Sequence, residues 1–333
     1  MNYLRHSKYL LYAGLVALLA LAPFLLTRTP HWISVLTMAN FLAIFAMSWD
    51  ILSGYTGQIS FGHAFFIGAA GYTSALLNFY LKLPLWLTIP TGVVAAVVMG
   101  LLVAVPALRL RGPYFSLVTL ILPIVALKLV LIFSHFTGGE LGQFGLTSLT
   151  QARGFILYLR INYFYSLGLM VLVAGALLLI ARSKIGKIFE AIRENEEAVE
   201  AAGINTAKYK ILSFIISSFV AGLGGAFYVH YWGSLIPSTV LSLTLSVELI
   251  IASVAGGVGT ILGPLLGAYL LVGGQRWFEN LAGRFPTLGF LSKWSMLIFL
   301  VLLILLLFFA RRGLLPALRG LFGRLVPLPR RSQ

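Results

Sequence analysis

From residue 9 onward the chain is dominated by apolar runs, many of 18 residues or more, and each such run is long enough to cross a bilayer as a helix. Charged residues are 10% of the 333 positions, against about 25% in soluble proteins. Mean hydropathy is +0.97. The sequence therefore predicts an all-α polytopic membrane protein. The first run follows the basic residues Arg5 and Lys8, as a signal peptide would, but it is long and no polar cleavage region follows it. A retained helix is the expectation.

Ten spans fit: 9–27, 33–52, 63–81, 85–108, 113–134, 162–181, 207–231, 239–257, 261–278 and 294–310. Helix-breaking stretches such as Lys82-Leu83-Pro84 and Gly112-Pro113 separate neighbours. With the first residues cytoplasmic, an even number of spans returns the C-terminus to the same side. Sixteen Lys and Arg then fall in cytoplasmic segments and six in external ones, with Lys128 and Arg276 within or at the edge of spans. The expected layout is a tail (1–8), six helices (9–181), a cytoplasmic loop (182–206), four helices (207–310) and a basic tail (311–333). The net charge of +15 belongs to those cytoplasmic segments and does not imply nucleic acid. There is no cysteine, so disulfides and thiolate metal sites are excluded.

Residues 185–204 read IGKIFEAIRENEEAVEAAGI and hold five of the nine acidic residues: Glu190, Glu194, Glu196, Glu197 and Glu200. Ile185, Ile188, Phe189 and Ile192 recur at helical spacing and make one apolar stripe. Arg193 can pair with Glu190, Glu196 or Glu197 on the polar face. Asn195 before Glu196 and Glu197 is a helix N-cap with acids in the first turn, and Gly203 is a natural stop. Two short helices are expected across the cytoplasmic face. Three uses compete: docking onto a cytoplasmic protein, resting on lipid, and plain connection. Lipid-resting helices are rich in Lys and Arg, and a plain connector needs no apolar stripe, so docking is favoured.

At this point the residues resemble a known family. The run from Ile185 to Tyr228, the stretch SGYTGQISFGHAFFIGAAGYTSALL at 53–77 and SVELIIASVAGGVGTILGPLLGAYLL at 246–271 resemble branched-chain amino-acid permeases of ABC importers, the LivM-type subunit. The resemblance covers about residues 33 to 310. It implies a type II-like importer permease fold, with Ile188, Phe189, Ile192, Arg193, Asn195, Glu196, Glu197, Ala198, Glu200 and Gly203 forming a coupling element. It also implies partners: two ATP-binding cassette subunits, a second permease subunit and an external substrate-binding protein. Glu200-Ala201-Ala202 runs straight into Gly203, without the spacer of the general permease signature. No phosphate loop G-x-x-x-x-G-K-[ST] is present, so Mg-ATP belongs to the partners and this chain needs no cofactor of its own.

Ionisable residues within spans carry a cost and draw attention to pathways. Asp50 ends the second span, and Tyr55, Gln58, Ser60 and His63 follow in a glycine-punctuated stretch. That stretch is either an interrupted, pathway-lining segment or a tight turn with His63 capping the next helix. Glu248 lies mid-span, where an internal pair or a role in fixing helix contacts is favoured over direct contact with substrate. The external stretch 135–161 either receives the binding protein or forms a partly helical lid. No catalytic constellation and no metal motif is present. The expected activity is inward transport of leucine, isoleucine or valine. A urea or short-amide importer is the nearest alternative, and a stand-alone secondary transporter or channel the alternative of another class.

Overall fold

The structure, a computed structural model, describes residues 14, 17–26, 29–107 and 113–283, together with 294, 298, 299, 301, 305 and 313–317. The expected span 294–310 therefore lies for the most part outside the described residues, as do most of both tails, and the expected span 9–27 is described only at 14 and 17–26. Residues 17–25 are helical. They lean on the sixth span, where Tyr163 donates to the Leu19 carbonyl at 2.7 Å and Arg160 stands over the Phe24 ring.

The described elements are α1 (Pro30–Trp49), running into a π-helical turn (Asp50–Gly54), α2 (His63–Leu81), α3 (Leu85–Ala107), α4 (Pro113–Ile132) and the short α5 (Ser134–Thr137). There follow β1 (Gln143–Phe144), α6 (Phe155–Arg182), α7 (Lys184–Glu194), α8 (Glu196–Ala201), α9 (Thr206–Trp232), β2 (Ser234–Leu235), α10 (Pro237–Val240), α11 (Leu243–Gly256) and α12 (Leu262–Gly283). Seven helices among the described residues are long and apolar enough to cross a membrane, where ten were expected. One difference has a clear cause. The expected span 261–278 exists as α12, but its last turns carry Gln275, Arg276 and Glu279, which dilute its hydropathy below that of the seven. The expected span 239–257 is interrupted, because Ser242 caps a fresh helix at α11 by accepting from the Leu245 N–H.

The helix α1, which is apolar all round, lies innermost. Every residue from Ala39 to Thr56 is buried, and α1 is packed by α6, α9, α11 and α12. A helix with no polar face can be stable only when covered all round. The second centre is α9, held against α2 and α3 through small residues. Gly222 fits between Ala70 and Ala96, Gly225 lies on the Ile67 backbone, and Gly100 faces Ser218. Without a hydrophobic driving force between helices in lipid, such close backbone approach supplies the attraction. By contrast α4 leaves most of one face, including Leu117, Ile121 and Val125, exposed.

The stretch 135–161 is a built structure. Gln143 and Phe144 pair antiparallel with Leu235 and Ser234. Asn78 accepts from the Thr147 N–H at 2.9 Å, and His230 bridges Ser74 and the Thr147 carbonyl. This ties the far end of α9 to that of α2.

Candidate functional site

The site grows from the end of α1. Ordinary helical geometry gives way at Asp50 to a π-turn, and such insertions recur at functional positions. Beyond Gly57, at a φ of +74° that glycine alone takes easily, the chain folds back on itself. Ser53 Oγ donates to the Gln58 carbonyl at 2.9 Å and accepts from the Ser60 N–H, while the Trp49 indole donates to the Ser60 carbonyl at 2.7 Å. Two contacts to α4 finish the clasp: Ser116 Oγ to the Ile59 carbonyl, and the Phe61 N–H to Thr119 Oγ1. The stretch is thus an irregular inserted segment rather than a tight turn. His63 does not cap α2; its ring bonds Ser217 Oγ at 2.8 Å, and that hydroxyl in turn donates to the Ser48 carbonyl.

Asp50 is fully buried and reaches across the bundle to the turn before α12. Its Oδ1 accepts from the Gly259 N–H at 2.6 Å, and its Oδ2 from the N–H groups of Thr260 and Ile261 at 3.1 and 3.0 Å. Successive N–H groups at a helix start form a concave anion-binding nest, and here the occupant is a side chain of the protein itself. Gly54 has room for nothing larger: a Cβ there would meet both the Asp50 carboxyl and the Gly259 nitrogen.

The loop between α6 and α9 is attached to this junction. Arg193 Nη1 donates to the Gly54 carbonyl at 2.7 Å, and a Cβ on Gly259 would stand 2.7 Å from the same nitrogen. The two short helices form as the sequence predicts. Asn195 accepts from the Ala198 N–H to start α8, and Gly203, at a φ of +82°, ends it with its N–H on the Glu200 carbonyl. Most of the apolar stripe, however, faces the protein's own bundle: Phe189 and Ile192 are buried, Val199 joins them, and Ile188 is half-buried, while Ile185 at its start stays exposed. Its buried part is an anchor and not a presented surface.

The acids are divided as well. Glu196 pairs with Lys210, and Thr206 Oγ1 donates to both Glu200, at 2.6 Å, and Glu196, which clips α8 onto the start of α9. Arg193 pairs with Glu194 rather than with Glu190, Glu196 or Glu197. Among the described residues Glu190 and Glu197 make no ion pair, and both are exposed with Ala198. A cavity of about 1090 Å³ opens between α7–α8, the clasp at Gln58 and the start of α4, with Glu194, Glu196 and Glu197 on its wall.

The pathway candidates do not form one lining. Asp50, Tyr55, Ser60 and His63 are buried in contacts between helices, whereas Gln58 borders the large cavity. Glu248 is elsewhere, on α11, lining a separate cleft of about 280 Å³ with Thr244, Gln275 and apolar neighbours. Among the described residues it makes neither a hydrogen bond nor an ion pair, so the internal partner expected for it is not found. A lone charge in that position costs about 2.5–3.5 kcal/mol on insertion scales. Sequence reasoning missed the role of Gly257–Ile261 as the receptor for Asp50. The glycine spacing around Gly259 was the available signal, but glycines so spaced in a membrane chain serve close helix packing equally well.

Comparison with known proteins agrees with this architecture. The family model described as branched-chain amino acid transport system / permease component matches residues 32–307. The high-affinity branched-chain amino acid transport system permease protein LivM of Escherichia coli K12 is 29% identical, over 92% of this chain and 75% of its own. A probable branched-chain amino acid transport permease protein LivH of Methanocaldococcus jannaschii is 24% identical over 83% of this chain and 89% of its own. The ribose import permease protein RbsC of Haemophilus influenzae is 29% identical, but over only 30% of this chain and 32% of its own. No solved structure matches. The chain belongs to the branched-chain amino acid transport permease family, with helical membrane-spanning segments.

Proposed function

We propose that this member of the family is the transmembrane permease subunit of an ATP-driven importer, carrying leucine, isoleucine or valine inward across the cytoplasmic membrane. The substrate reading rests on the family and on relatives that match most of the chain under branched-chain amino acid names. Two ATP-binding cassette subunits would supply Mg-ATP and its hydrolysis. A second permease subunit would complete the pathway, and an external binding protein would deliver substrate. Both termini and the α7–α8 loop are then cytoplasmic.

The observation that carries the coupling role is the bond from Arg193 to the Gly54 carbonyl, next to the nest that holds Asp50. A cassette pushing on the exposed side of α7–α8, around Glu190, Glu197 and Ala198, would move a body fastened to the bundle by Phe189, Ile192 and Val199. Arg193 would pass the displacement to the end of α1, and Asp50 would pass it to the start of α12. Such a rigid linkage lets nucleotide bias the bundle between outward- and inward-open states. A stand-alone carrier has no use for a loop so attached.

The absence of cysteine makes the test direct. Ala198→Cys, co-expressed with the ATP-binding subunits carrying single cysteines along their groove, is expected to give a disulfide whose yield changes with ATP. Folded protein with no crosslink at any groove position would overturn the coupling role.

A further inference from the structure

The geometry points to a transit site for the ammonium end of an aliphatic amino acid in the cleft between α11 and α12, with Glu248 and Gln275 as its acceptors. This inference rests on the amino-acid import reading above. Glu248 lies in the middle of the 20-residue span Pro237–Gly256 and has no partner among the described residues. A carboxyl group so placed, if it faced lipid, would only cost stability; it gains a purpose if the cleft receives a cation. Gln275 completes the case. Its amide nitrogen donates to Glu279 at 3.0 Å, which leaves its carbonyl oxygen as the free acceptor. The cleft thus offers acceptors to an ammonium group, which carries three donors.

The remaining wall is apolar, with Ile251, Leu271 and Phe299, and the space of about 280 Å³ matches a small aliphatic ligand at the lower end of ordinary binding sites. Among the described residues no cationic side chain lines the cleft, so these residues give the α-carboxylate no counter-charge. Holding one end only makes for weak binding, which suits a station that must release its cargo. Thr244, exposed at the rim, is the reporter position.

The test uses the whole complex in proteoliposomes: this chain, its permease partner, the ATP-binding subunits and the binding protein. Glu248→Gln is expected to lower ATP-driven leucine uptake at least about tenfold, the scale of one charge-assisted hydrogen bond, while the complex still co-purifies. Thr244→Cys, in an otherwise cysteine-free chain, is expected to react with a small charged thiol reagent. Leucine and isoamylamine should shield it, 4-methylpentanoate should not, and Glu248→Gln should abolish the shielding. Unchanged uptake in Glu248→Gln overturns the site, as does a Thr244→Cys that never reacts, because lipid or the partner then covers the cleft. Loss of the second permease from the Glu248→Gln complex assigns the carboxyl to subunit pairing instead. If the wild-type complex fails to import leucine, the amino-acid reading itself fails. Isoamylamine shielding still judges the site in that event, and its absence overturns it.

Discussion

Asp50 and Glu248 are the two acidic residues that the sequence places in or at the end of a span, and they differ in everything but chemistry. Asp50 has both oxygens filled by three backbone N–H groups from a turn some 209 residues away. Glu248 has an open cleft beside it and no partner among the described residues. The first carboxyl holds the scaffold together, and its removal leaves donors stranded in a dry interior. The second contributes nothing to the scaffold that a neutral side chain would not. An intramembrane carboxyl is thus ambiguous until its partners are known; satisfaction, not charge or depth, marks the structural one.

The contrast is open to measurement, first through stability in detergent. Asp50→Leu is expected to cost at least about 3 kcal/mol, since three buried donors lose their acceptor at ~1–3 kcal/mol each. A thermal melt close to that of the wild type would show that the nest is not holding the bundle. Arg193→Ala removes the hydrogen bond to the Gly54 carbonyl together with an exposed pair to Glu194, and should cost about 1 kcal/mol by the same assay, most of it from the first. Its larger signature is expected in coupling, as ATP hydrolysis that no longer responds to the loaded binding protein; tight coupling in this variant would remove Arg193 from the linkage. Glu194→Ala breaks only an exposed ion pair and should change stability by no more than about 0.5 kcal/mol. A larger loss would place Glu194 in the clasp as well. Last, Glu248→Gln is expected to melt at or above the wild-type temperature, because it removes an unpaired charge. A marked drop would mean that Glu248 has a structural partner after all, and the contrast with Asp50 would collapse.

Much of this was open to reading before any coordinates. The membrane-spanning class, the boundaries of α2 and α9 to within one residue, the start of α3, and the Asn195 cap and Gly203 stop of α8 all follow from hydropathy and local backbone chemistry. These are properties of a residue and its near neighbours, so a sequence displays them. The orientation of the α7 stripe was not legible in the same way. Ile188, Phe189 and Ile192 make an amphipathic helix in either case, and only the packing of α6 and α9 beside it decides that the apolar side turns inward.

The nest on Asp50 belongs to the same class of decision. Its partners are backbone N–H groups, which every residue but proline possesses, so no side-chain pattern announces them. The sequence by itself determined that this chain is a bundle of membrane helices with a capped pair of short helices between two of them, because apolar length and helix-end chemistry are local. Only the tertiary structure decided which carboxyl is bound and which is free, because a hydrogen bond between distant segments exists only once packing has brought them within 3 Å.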